Sequence, residues 1–178
     1  MKSKTQSELR IERLCMINRF STQIVKWKSK KILDAYREAK KVKEYSRKDE
    51  GSVISCLKAK VREKYDKSYV MKVNHKTGSL DYMLLDVIGT KWAENIIDKV
   101  FAKMCEFDED SDDYCYILTE YYLSENKRED IDIQDEMEVS YSKYYRLKKN
   151  AILLFGILLW LTVLDECIDN SDTKDRAV

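Results

Sequence analysis

Proline is absent from this chain of 178 residues, and glycine occurs only four times. Long helices therefore meet few local breakers, while the tight turns that punctuate sandwiches and barrels lack their usual residues. The expectation is an all-α protein of one or two small domains. A single histidine, His75, and five cysteines (Cys15, Cys56, Cys105, Cys115, Cys167) without a CxxC pair form no zinc-ligand pattern, so neither a structural metal nor a cofactor is expected. The odd cysteine count argues against a closed disulfide set and for free thiols in a reducing cytosol. No glycine-rich phosphate loop exists, Ser140 has no histidine in a nucleophile arrangement, and the carboxylates come as surface runs, so the chain does not read as an enzyme. The N-terminus is charged and lacks the apolar stretch of a signal peptide, which fits a cytoplasmic protein.

What is present is charge, divided unevenly. Through Ser79 there are 22 basic against 9 acidic residues, a net of +13, whereas from Leu80 onward 11 basic face 23 acidic residues, a net of −12. From Met104 to Glu138, 14 acids stand against Lys127 and Arg128 alone, and then Lys143, Arg146, Lys148 and Lys149 follow with no acid between Val139 and Leu164. An acidic surface beside a short cationic one would repel a polyanion except where those four cations sit, which restricts docking to one face. The plainer reading of the acids, as solubilising helix surface, stands beside it.

Hydrophobic spacing divides the chain into regions. Residues 1–50 form a basic helical region, one long helix or two short ones, with Ile17, Phe20, Ile24 and Trp27 at helical spacing and a dense basic face from Lys26 to Lys48; so narrow a stripe suits helix pairing. Breaks are expected at Glu50-Gly51-Ser52 and at Asn74 to Ser79, bounding a basic connector over 51–79 in which Val53, Ile54, Leu57 and Val61 are helical in spacing and Tyr69 to Val73 fits a short strand; His75 is read as a loop residue. A C-terminal four-helix domain occupies 80–168, and 169–178 form a disordered tail. Within that domain Leu80 to Phe107 is one strongly amphipathic helix through Leu84, Val87, Ile88, Trp92, Ile96, Val100 and Met104. Tyr114 to Ser124 is a second helix, Asp130 to Met137 a third, and a turn at Glu138 to Ser140 leads into the fourth. A short helix, a three-residue turn and a long basic helix follow the grammar of a helix-turn-helix.

The stretch Val139 to Ile152 carries the functional reading. Ser140 is placed as an N-cap, and Tyr144, Leu147, Ala151 and Leu154 follow the three-four-three spacing of a buried stripe. Tyr141, Ser142, Tyr145, Arg146 and Lys149 fall on the opposite side, with side chains that bond phosphates and base edges. Beyond them AILLFGILLWLTVL, Ala151 to Leu164, is 14 residues long. A membrane span needs roughly 20 apolar residues, so the run fits a buried helix and no membrane partner is expected. Because a helix apolar on every side must bury every side, Leu158, Leu159, Trp160, Leu161 and Leu164 are expected to meet the N-terminal helix or a second subunit, with Leu158, Trp160, Leu161 and Leu164 as the face of a homodimer.

Ile133 to Ile152 resembles the helix-turn-helix of sigma-factor region 4. With Tyr121-Tyr122-Leu123 ahead of it, the combination of Ser140, Tyr144-Tyr145-Arg146-Leu147-Lys148-Lys149 and Ala151 is similar to the ArpU family of phage transcription regulators, over about Leu80 to Leu161. The resemblance implies a phage or prophage activator of late genes that binds double-stranded promoter DNA in the bacterial cytoplasm, alongside host RNA polymerase. Carried onto matching positions, Ser140 caps the recognition helix and can bond a phosphate. Tyr141, Ser142, Tyr145 and Arg146 face the major groove, Arg146 being suited to bidentate guanine contact. Lys143 and Lys149 meet phosphates, and Met137, Tyr144, Leu147 and Ala151 are core. One departure is Glu138, which stands where such turns often place glycine in a left-handed backbone; glutamate there costs on the order of 1 kcal/mol. The alternative from a different class is an all-α interaction module of a phage or mobile element that binds host proteins, with DNA incidental.

Overall fold

The computed structural model describes residues 4–41, 50–63, 80–124, 126 and 128–169. Among these residues there are eight α-helices, one π turn and no strand, so the protein is all-α. The strand reading of Tyr69 to Val73, the break at Asn74 to Ser79 with His75, and the tail over 170–178 lie outside the described residues.

Helix α1, Gln6–Ile17, starts with a reciprocal cap: the Glu8 amide donates to the Thr5 hydroxyl at 3.3 Å, and the Thr5 amide donates to the Glu8 carboxylate at 2.8 Å. Four residues, Asn18 to Ser21, separate it from α2, Thr22–Lys41. In that corner Arg19 adopts φ 56°, and the Arg19 and Phe20 amides donate back to the Met16 and Cys15 carbonyls at 3.1 and 2.8 Å. The corner changes which residues are buried. Of the expected stripe Ile17–Phe20–Ile24–Trp27, only Phe20 is fully buried, while Ile17 is 67% and Trp27 40% exposed. One continuous helical register does not pass through a left-handed residue, so α1 buries Ile11 and Cys15, and α2 buries Val25, Ile32, Leu33 and Tyr36.

Two further boundaries differ from the sequence expectation. Glu50-Gly51-Ser52 is no break but the first turn of α3, Glu50–Glu63, which buries Leu57 and Val61. Leu80 to Phe107 is two helices, α4 (Leu80–Val87) and α5 (Lys91–Cys105). Gly89 turns the chain at φ 90°, a value open to glycine, and the Ala93 amide donates to the Thr90 hydroxyl at 3.2 Å to restart the helix. The expected inward residues Leu84, Val87, Ile88, Ile96, Val100 and Met104 are nonetheless buried. Helix α6, Ser111–Leu118, runs on into the π turn Thr119–Leu123. Across the α5–α6 corner the Cys105 and Cys115 sulfurs lie 3.1 Å apart as free thiols. A short helix α7, Asp130–Glu136, and the long α8, Tyr141–Asp169, complete the chain.

Helix α8 is the axis of the molecule. Helices α1, α2, α3, α5 and α6 all pack on it, and α4 packs on α2 and α3. One core therefore runs from Ile11 to Cys167, and the boundary drawn between 79 and 80 does not divide two cores. Helices α2 and α8 approach closely at Gly156, where a Cβ would lie 1.7 Å from Ser29 Oγ and 2.8 Å from Val25 Cγ1. Only glycine fits there. From Tyr141 to Cys167 α8 is long and apolar enough to cross a membrane, yet 83% of its most apolar window is buried in the fold by its own chain.

That burial bears on the role expected of the apolar run. Trp160 is fully buried and Leu164 nearly so, while Leu158 and Leu161 are partly buried against the same core. The N-terminal helices, one of the two coverings considered, occupy the space: Lys28 of α2 sits 5.7 Å from the Trp160 ring, and Ile32 of α2 shares a small apolar cavity of about 20 Å³ with Leu159 and Val163. A second subunit is not required to cover Leu158, Trp160, Leu161 and Leu164.

Candidate nucleic-acid interface

The site grows from the corner between α7 and α8. Its backbone repeats the α1–α2 corner: Glu138 takes φ 51°, and the Glu138 and Val139 amides donate to the Asp135 and Gln134 carbonyls at 3.1 and 3.5 Å. Glutamate thus occupies the left-handed position expected of it, at a cost of about 1 kcal/mol. The Gln134 amide side chain braces the corner by donating to the Val139 carbonyl at 3.2 Å. Ser140 then caps α8, its hydroxyl accepting from the Lys143 amide at 3.3 Å.

Asp130 locks the two helices together. One of its oxygens accepts from the Tyr144 hydroxyl at 2.7 Å and from the Lys148 ammonium at 2.5 Å, and the other accepts from the Tyr145 hydroxyl at 3.4 Å. Burial first, and then the hydrogen bond to Asp130, push the Tyr144 phenol well above its ordinary pKa. Lys148 also lies 3.2 Å from the centre of the Tyr121 ring. It is buried and paired, and so leaves the group of four cations on which the sequence reading relied. Ahead of α7, Arg128 holds the corner from below, reaching Tyr116 and Glu120 with one nitrogen and Glu136 and the Asp132 carbonyl with the other. Composition alone, two bases among 14 acids from Met104 to Glu138, gives no sign of this role for Arg128.

The remaining candidates share one face. Ser140, Tyr141, Ser142, Lys143, Tyr145 and Lys149 are exposed, and Arg146 is half-buried. Tyr141, 65% exposed, lies against Tyr145, 39% exposed, with ring centroids 4.4 Å apart. Lys143, Arg146 and Lys149 recur every three residues and have no acidic partner among the described residues. Their buried counterparts are those expected: Tyr144, Leu147, Ala151 and Leu154 are fully enclosed, and Met137 is partly so. The helix N-terminus adds the positive end of the α8 dipole to this face. No family model, curated protein or solved structure matches the chain.

Two cations from α2 complete the electrostatics. Lys26 is close enough to Lys149 and Lys30 that, after burial, these two charges are the main causes lowering its pKa. The only sequence signal for this was the basic face beginning at Lys26, which does not say what that face meets. Among the described residues no three His, Cys, Asp or Glu side chains gather to hold a metal ion.

Proposed function

We propose that the chain is a sequence-specific DNA-binding transcriptional regulator that lays the start of α8 in the major groove of promoter DNA. The single observation that carries this reading is that the first three turns of α8 turn outward an acid-free face of hydroxyls and cations, while the rest of the same helix is held in the core. Such a face meets the needs of a recognition helix, which must offer donors to base edges and phosphates from a rigid support. Arg146 is the guanine reader, Tyr141, Ser142 and Tyr145 flank it on the groove, and Ser140, Lys143 and Lys149 position the backbone. The resemblance to the ArpU regulators makes the regulator an activator of phage or prophage late genes that works with host RNA polymerase.

One observation favours a different class. Ile131 is 57% exposed on α7 among exposed Asp132, Asp135, Glu136 and Glu138, and an exposed apolar side chain set among acids suits a protein partner. Binding to duplex DNA across a salt series separates the two. A sequence-specific regulator keeps its preference among duplexes as affinity falls with salt, and Arg146→Ala costs about 1–3 kcal/mol at the preferred site. Equal affinity for all sequences, untouched by Arg146→Ala, would favour the interaction module.

A further inference from the structure

Between α1, the first turn of α2 and α8 lies a cleft of about 420 Å³, whose walls include Thr22, Gln23, Lys26, Lys149 and Asn150. Two acids also line it, and both are engaged. The Glu12 carboxylate takes the Lys4 ammonium at 2.6 and 2.7 Å, and Glu8 accepts the Thr5 amide in the α1 cap. Of the cations, Lys4 is thus taken up, whereas Lys26 and Lys149 have no acidic partner among the described residues. Burial first, and then crowding by Lys149 and Lys30, disfavour the charged form of Lys26. An anion placed between them would relieve that repulsion. The amides at the start of α2, a 20-residue helix with no acid in its first turn, point the positive end of its dipole the same way. Asn150, 5% exposed, is the buried polar side chain at the floor of the cleft.

We infer that this cleft seats a backbone phosphate of the duplex whose bases the start of α8 reads, with Lys26 and Lys149 as its counter-charges. The inference rests on the DNA-binding reading and extends it to the N-terminal helices. Lys149 belongs to both surfaces, so the cationic line Lys143–Arg146–Lys149 leads from the groove-facing side of α8 directly to Lys26. The α1–α2 corner, with Arg19 in the left-handed conformation, is what delivers the first turn of α2 to that point.

The test is duplex-binding isotherms over a salt series for the full chain and its variants. Lys26→Ala should weaken binding roughly three- to tenfold and lower the log–log salt slope by about 0.9, the value of one phosphate contact. It should do so for every sequence alike, because phosphates carry no base information. Lys26→Arg should restore both quantities, Lys26→Glu should weaken binding further, and Lys91→Ala on exposed α5 should change neither. Lys26→Gln keeps the aliphatic stem and makes the same charge deletion should alanine disturb folding, which circular dichroism reports. If Lys26→Ala and Lys26→Gln match the wild-type slope while Arg146→Ala still weakens binding, the cleft inference is overturned and the α8 reading stands. If the wild-type chain binds no duplex at low salt, the α8 reading falls and takes the cleft's ligand with it.

Discussion

The first ten residues of α8 and the seventeen that follow belong to one unbroken helix, yet they live in opposite surroundings. Tyr141 to Asn150 alternates an enclosed stripe with an exposed polar face, whereas Ala151 to Cys167 is buried on nearly all sides. Hydrophobicity alone does not draw this line, since Tyr141 and Tyr145 are aromatic and exposed while Lys148 and Asn150 are polar and buried. What separates the two stretches is how many helices surround them. The second stretch runs through the buried core shared by the surrounding helices, whereas the first emerges beside α7, the π turn, and the start of α1 and α2, with one face left to solvent. The exposed face therefore needs little local stability of its own, because the anchored part of the helix holds it in place.

That comparison can be broken most forcefully in the anchored half. Trp160→Ala should destabilise the chain by about 3–5 kcal/mol in chemical denaturation, the cost of an enclosed tryptophan and the cavity it leaves. A midpoint that barely moves would mean that Trp160 is not enclosed. Next comes the joint between the halves. Asp130→Ala should cost about 2–3 kcal/mol, below the full value for a deeply buried pair because Asp130 keeps partial exposure, since Lys148 is left as a buried cation without its carboxylate. Adding Lys148→Met should recover most of that loss; no recovery in the double variant would show that Asp130 acts through Tyr144 rather than Lys148.

Alkali should attack the core around α8 as well. Burial pushes the Cys15 thiol up to about 11, and it also raises the phenols of Tyr114, Tyr122 and Tyr144 above their ordinary value of 10. Groups with a raised folded-state pKa keep their full contribution below the unfolded value and lose it as pH rises. Thermal stability should therefore be level through neutral pH and decline above about pH 9, where Cys15 and then the tyrosines begin to ionise in the unfolded chain. A melting temperature that is constant to pH 11 would contradict their burial. The smallest effect on stability belongs to the exposed half: Arg146→Ala should leave the unfolding free energy within about 0.5 kcal/mol while removing duplex discrimination. A loss of stability comparable with Trp160→Ala would mean that Arg146 is structural.

Local features of the site were legible because short-range rules control them. The cap at Ser140, the left-handed backbone at Glu138 and the stripe Tyr144–Leu147–Ala151–Leu154 depend on residues within one or two turns of each other. The break at Gly89 was overlooked because the hydrophobic period continues across it, with Ile88 and Trp92 still in phase. The start of α3 differs for the opposite reason: Gly51 reads as punctuation, but a glycine in the first turn of a helix costs only its own propensity, about 1 kcal/mol, which the rest of Glu50–Glu63 outweighs. The N-terminal stripe went astray because Arg19 carries no sequence sign of a left-handed residue.

The amino-acid sequence by itself determined the helical class, through the absence of proline and the scarcity of glycine, and it determined which side of α8 near residue 145 must be buried, through spacing alone. Only the tertiary structure decided what covers the apolar run from Ala151 to Leu164, which of the cations remain free, and that Lys26 stands beside Lys149. The physical reason is range. Periodicity and capping act over a few residues, whereas the pairing of Lys148 with Asp130, the contact of Lys28 with Trp160 and the approach of α2 at Gly156 join residues far apart in the chain, whose meeting depends on how all the helices share one core.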